Sequence, residues 1–135
     1  MPQRSMDWFS QALRDLEHAE DSRRAASYEW ACFVGQQAAE KAVKALHLHL
    51  GQEAFGQVLT RLLRGLPESV AVPQGLFERA QVLDTFYIPT RCANAHSEGA
   101  PFEHYGPLQS QEAVQYAGEI LEFVRLQMAR REESG

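Results

Sequence analysis

The sequence predicts an all-α fold: an up-and-down helical bundle of four to five helices forming a single domain over residues 1–135. Three observations carry this. Apolar residues recur at three- and four-residue spacing through most of the chain, the signature of helices with one buried stripe. No apolar–polar alternation bounded by hairpin turns appears. Glycine and proline gather in two short stretches, 67–75 and 97–109, which read as loops between helical segments.

The first helix is expected from Ser5 to Arg24. Phe9, Ala12, Leu13, Leu16 and Ala19 form its inward stripe, with Trp8 beside them. Ser5 is a candidate N-cap, and Asp7 falls in the first turn, where negative charge is favoured. The second helix, Ser27 to Leu50, is the longest, and Gly51 is a natural residue just past its end. Its seam is Ala31, Gly35, Ala38, Ala39, Ala42, Leu46 and Leu50. Small side chains along a seam let another helix come close, which would offset the propensity cost of Gly35, on the order of 1 kcal/mol relative to alanine. A third, weaker helix covers Gly56 to Leu66 with Val58, Leu59, Leu62 and Leu63 inward, and Pro67 ends it. A fourth begins near Gln74 and shows Leu76, Phe77, Ala80, Leu83, Phe86 and Tyr87 before Pro89 disturbs it. The loop 97–109 carries Phe102 and Tyr105 as residues that would pack it down. The last helix starts after Ser110 and carries Ala113, Tyr116, Ala117, Ile120, Leu121, Val124 and Met128. The charged tail 130–135 is expected to fray.

Composition narrows the function classes. A hydrophobic fraction of 44% and a charged fraction of 23% are ordinary for a globular chain, so disorder is not expected. A net charge of −5 argues against coating nucleic acid through bulk charge, so any such contact would be local. Two cysteines, no apolar leader at the N-terminus and no apolar run near the ~20 residues of a membrane span lead us to expect a reduced, cytoplasmic protein with no membrane segment.

The segment Tyr87-Ile88-Pro89-Thr90-Arg91-Cys92-Ala93-Asn94-Ala95-His96 is the richest in chemistry. Arginine is a permanent cation whose planar fork suits phosphate. Histidine moves protons near neutral pH. On a regular helix Arg91 and His96 would stand about 140° apart, so they converge only where the backbone bends. Converged, His96 could act as general base or acid on a ribose 2′-hydroxyl or a leaving oxygen. Arg91 could stabilise charge developing on phosphorus. The bland alternative is a surface salt bridge and a loop histidine. Tyr87, Thr90, Asn94, His104 and Tyr105 reach the same neighbourhood, with loop packing as their alternative role. Lys41, one turn from Gln37 in the run Gln36-Gln37-Ala38-Ala39-Glu40-Lys41, could face a phosphate or belong to a solvated helix face. Glu40 and Lys44 read as an i,i+4 pair on the solvent side, and His47 and His49 as polar residues near a helix C-terminus. Cys92, His96 and His104 carry metal-ligating atoms. Their C-x3-H-x7-H spacing matches no common structural zinc pattern, so no metal and no cofactor is expected. Phosphate-loop, HExxH and GxSxG motifs are absent.

Several blocks together resemble the HEPN domain family of prokaryotes. They are Asp7-Trp8-Phe9 with Ala12, the run from Phe33 through Gln36-Gln37-Ala38-Ala39-Glu40-Lys41 to Leu46, and Tyr87-Ile88-Pro89-Thr90-Arg91 followed by Asn94, Glu98-Gly99-Ala100-Pro101 and Tyr105. The resemblance covers nearly the whole chain. It implies a four- or five-helix bundle that forms a homodimer. It also implies a metal-independent endoribonuclease, toxin-like, in which Arg91 and His96 match an Arg-x4–6-His motif and two copies meet near the two-fold axis in one composite cleft. The alternative it implies is a noncatalytic module that binds a nucleotide or RNA, or partners a minimal nucleotidyltransferase as in toxin–antitoxin pairs. Cys92 after Arg91, where active members carry a polar residue, bears on that choice. A third reading is an interaction protein acting only through its dimer surface.

Overall fold

The computed structural model describes residues 2–87 and 98–134. Among these, five helices and one single helical turn appear, and no strand: α1 (Pro2–Arg24), α2 (Tyr28–His49), α3 (Leu59–Arg64), α4 (Gln74–Asp84), the turn α5 (Pro101–His104) and α6 (Pro107–Ser134). The all-α bundle predicted from the sequence is what the chain adopts.

α1 and α2 form an antiparallel hairpin around Ala26, whose φ of 63° makes it the only non-glycine residue at positive φ among those described. Across the hairpin Asp15 pairs with Lys41 at its middle and Trp8 packs under Lys44 nearer its open end. α1 begins at Pro2 rather than at Ser5, because proline suits a first helical position where no amide partner is needed. Ser5 is therefore not a cap: it lies inside the helix, fully buried, and no acidic residue falls in the first turn. The inward row is Ser5, Phe9, Ala12, Asp15 and Ala19. It is rotated toward Asp15, and that leaves Leu13 45% exposed instead of inward.

α2 is the central helix, packed against α1, α3, α4, α5 and α6. It ends as expected, with Leu50 closing the last turn and Gly51 at φ 80°. Its small seam is buried from Ala31 to Leu46. A Cβ built on Gly35 would stand 3.3 Å from the carbonyl oxygen of Ala113 and 3.5 Å from its Cβ, so α2 and α6 meet almost backbone to backbone there. That close contact offsets the helix-propensity cost of the glycine.

α3 is shorter than the periodicity suggests. Gly56 takes φ 102° and Val58 stays extended as N-cap, so Val58 is exposed while Leu59, Leu62 and Leu63 fill the core. No side chain next to α3 caps it. Asp84, at the end of α4, does so instead: it accepts hydrogen bonds from the Leu59 amide (2.6 Å), the Thr60 amide (3.1 Å) and the Thr60 hydroxyl (3.0 Å). A carboxylate at a helix start satisfies orphan amides and the dipole together. His47, buried near the end of α2, joins the same region through Leu62 O at 2.8 Å and Gln52 Oε1 at 3.0 Å.

Two expectations fail in the C-terminal third. The loop 97–109 contains the helical turn α5, and α6 begins at Pro107, not after Ser110. Proline again opens the helix, and the Gln109 side chain accepts the Gly106 amide at 3.0 Å. α6 continues to Ser134. Ala113, Ala117, Ile120, Leu121, Val124 and Met128 are its buried face.

Candidate functional site

The C-terminal end of α4 delivers two aromatic residues to different neighbours. Phe86 turns into the core and meets Tyr105 edge-on, with ring centroids 5.9 Å apart and planes at 77°. Tyr87 turns outward and packs on Phe33 of α2 at 6.0 Å, and Phe33 in turn packs on Trp30 at 5.6 Å. These separations are within the range of favourable aromatic pairs. Trp30 and Phe33 are three apart on α2, hence on one face, and Trp30 is 44% exposed. The result is a surface ladder Trp30–Phe33–Tyr87 whose last rung is the residue that opens the Tyr87–His96 segment.

After that segment, residues 98–106 form a self-bonded strap. His104 donates from Nε2 to the Glu98 carbonyl at 2.5 Å, and the Ala100 amide donates to Glu103 Oε1 at 3.3 Å. Gly99 has φ 82°, and a Cβ there would come within 3.1 Å of His104 Nε2, so both conformation and space demand glycine. Tyr105 anchors the strap in the core. Burial raises its phenol above the usual range, with a smaller contribution from Cys32. The Cys32 thiol is pushed up to about 12, first by burial and then by Glu29 and Glu112. Near neutral pH both groups keep their protons, and Cys32 serves as packing rather than as a nucleophile.

Of the residues singled out in the sequence, Thr90, Arg91, Asn94 and His96 lie outside the described residues, as does Cys92. Tyr87 and Tyr105 sit on neighbouring ring pairs, and His104 is exposed on the strap. Lys41 stands apart from them. Its Nζ is 2.5 Å from Asp15 Oδ2, and it lies about 12 Å along α2 from Phe33. The run around it is not a solvated face. Glu40 is 4% exposed and Gln36 is fully buried. Glu40 accepts from Lys44 Nζ at 2.9 Å and from the Gln37 and Gln36 amides at 3.2 and 3.4 Å. Neighbours one turn away supply the bonds that make burial of this carboxylate tolerable. The residues that sequence reasoning missed are Trp30 and Phe33. Their signal was available, two aromatics at i,i+3 on a helix whose core seam is elsewhere.

The chain belongs to the HEPN domain family, which matches over residues 5–127. Three solved structures are similar over 92% of this chain. One is TT1696 from Thermus thermophilus, with 48% identity, a TM-score of 0.91 and 98% of that chain covered. A second is ST0689, an archaeal HEPN homologue, with 38% identity, a TM-score of 0.79 and 97% covered. The third is a HEPN domain protein, tm0613, from Thermotoga maritima, with 33% identity, a TM-score of 0.75 and 98% covered. No curated protein matches the chain. Among the described residues no helix is long and apolar enough to cross a membrane.

Proposed function

We propose that this HEPN protein is a metal-independent endoribonuclease that holds single-stranded RNA on the Trp30–Phe33–Tyr87 ladder and cuts it with Arg91 and His96. The observation that carries this is the ladder. Unpaired bases are commonly held by stacking on aromatic side chains, and the ladder's final rung is four residues before Arg91. In the proposed reaction His96 removes the proton of a ribose 2′-hydroxyl. The 2′-oxygen attacks the adjacent phosphorus, the bond from phosphorus to the 5′-oxygen breaks, and the leaving oxygen takes up a proton. Arg91 offsets the charge that builds on the phosphoryl oxygens. A homodimer would bring two such segments together in one cleft.

The second reading is a noncatalytic module that binds a nucleotide or docks a small nucleotidyltransferase. The net charge of −5 and Cys92 beside Arg91 favour it. The test is RNA cleavage by purified protein in EDTA, wild type beside His96→Ala and Arg91→Ala, with helix content followed by circular dichroism. Cleavage is expected from wild type alone, with helicity equal in all three. Either variant cutting as well as wild type would remove the assignment. A wild type that does not cut moves the weight to the second reading, and a monomer at micromolar concentration by sedimentation removes the composite cleft.

A further inference from the structure

The partly open face of α2 continues well beyond the ladder. Lys44 follows Phe33 by eleven residues, three turns and about 20°, so the two share a face about 17 Å apart along the axis. Lys44 lies 5.9 Å from the centre of the Trp8 ring of α1. Trp8 is the shared wall of two adjoining clefts. One, of about 340 Å³, runs along the α1–α2 groove past Arg4 and Lys41. The other, of about 660 Å³, is lined by Arg4, Trp8, Lys44, Leu48 and Phe55. Phe55 is 82% exposed at the apex of the 51–58 loop, the most exposed large apolar side chain described. That loop is held at both ends, Gln52 by His47 and the Gln57 carbonyl by the buried Gln36 amide at 3.3 Å. An exposed aromatic ring on a tethered loop, a second aromatic wall and an exposed guanidinium therefore stand at the far end of the face that begins with the ladder.

We infer that this Trp8–Phe55–Arg4 cleft is a second base-binding subsite for the same RNA strand, so that the protein engages an unpaired stretch rather than a single nucleotide. The inference rests on the RNA reading of the ladder and adds its footprint. At the ~3.4 Å rise of a stacked strand, 17 Å corresponds to about five nucleotides. The chemistry is stacking with one phosphate contact. Lys41 and Lys44 along the path are neutralised by Asp15 and Glu40, Asp7 lines the smaller cleft beside Arg4, and Glu53 lines the larger one. Arg4 is the cation left for the strand, because among the described residues no carboxylate pairs with it. Binding should consequently show a shallow salt dependence, a log–log slope of roughly −0.7 for one neutralised phosphate.

The test uses the full chain, fluorescence anisotropy, and end-labelled 2′-O-methyl oligouridines of three and ten nucleotides, which lack the hydroxyl needed for cleavage. Wild type should bind the ten-mer at least tenfold tighter than the three-mer. Phe55→Ala, a change at an exposed loop position, should weaken ten-mer binding about 5- to 150-fold, the loss of one stacked base. Arg4→Ala should weaken it and flatten the salt slope. Unchanged ten-mer affinity in both variants overturns the inference, as does a wild type that binds the two lengths equally. In either case three-mer binding leaves the ladder reading standing. Failure of the three-mer to bind removes the ladder reading and this subsite with it. A Phe55→Ala variant whose sedimentation differs from wild type would instead assign the cleft to contact with a second copy of the chain.

Discussion

Removing the carboxylate of Asp84 should cost more stability than removing an ordinary half-buried aspartate. Asp84 accepts three hydrogen bonds, from the Leu59 amide, the Thr60 amide and the Thr60 hydroxyl, and Leu59 and Thr60 are buried. A lost helix cap costs about 0.5–2 kcal/mol. Bonds to a charged acceptor lie at the upper end of the hydrogen-bond range, and donors left buried without a partner add about 1–3 kcal/mol. Some of those donors will recruit water, so Asp84→Ala should cost about 3 kcal/mol in all. Asp84→Asn, which keeps one acceptor oxygen, should cost about half of that. For 135 residues, ~2.1 cal/mol/K per residue puts the first loss at about 10 °C in Tm. The assay is guanidinium unfolding followed by circular dichroism, with Thr60→Val and the double variant completing a cycle. Coupling between Asp84 and Thr60 should exceed about 0.5 kcal/mol. If Asp84→Ala unfolds within about 0.5 kcal/mol of wild type, the tertiary cap is not what holds α3. Because α4 ends at Asp84, three residues before Tyr87, the same variant should also lower the stacking order of the ladder, visible as a change in Trp30 emission.

Two further outcomes follow from the packing. At Gly35 the space beside Ala113 admits at most a methyl group. Gly35→Ala should stay within about 1 kcal/mol of wild type as helix propensity offsets crowding, whereas Gly35→Leu should cost about 3 kcal/mol by denaturant titration. A Gly35→Leu variant as stable as wild type would show that α2 and α6 do not meet so closely. For Cys32, the folded-state pKa lies at about 12, above the value of an exposed thiol. The folded state therefore holds the proton more tightly than the unfolded one. The stabilisation is complete below the unfolded pKa near 9 and is lost as pH rises from there toward 12, by at most ~1.4 kcal/mol per pH unit. Tyr105 acts in the same direction. In a Cys92→Ser background the native protein should react with thiol reagents only at its unfolding rate, and Cys32→Ala should reduce the alkaline slope. Fast native labelling would contradict burial of Cys32.

The helices that local rules describe were legible. α2 between Ser27 and Gly51 follows from seam periodicity and from a glycine that takes positive φ, both properties of adjacent residues. Features that depend on distant partners were not. Asp84 is 25 residues from Leu59, so no local pattern shows that it caps α3, and Val58 reads as inward only if α3 starts before it. Glu40 resembles a solvated charge because sequence spacing shows which residues are neighbours but not how deep they lie. The starts of α1 and α6 differ for a simpler reason: Ser5 and Ser110 compete as start signals with Pro2 and Pro107, and proline prevails at both. For the candidate site, motif spacing points to Arg91 and His96, which the described residues do not include. Trp30 and Phe33 escape notice in the sequence because the ladder closes only through Tyr87, which belongs to a distant segment.

The chain has two tryptophans, and the ladder claims one while the Phe55 cleft claims the other. Trp30 on α2 and Trp8 on α1 therefore stand in different surroundings, one beside Phe33 and the other beside the Lys44 ammonium. Each can be replaced singly by phenylalanine, leaving one native emitter. The protein thus contains its own pair of optical reporters, able to distinguish events at one pole of the bundle from events at the other without any attached dye.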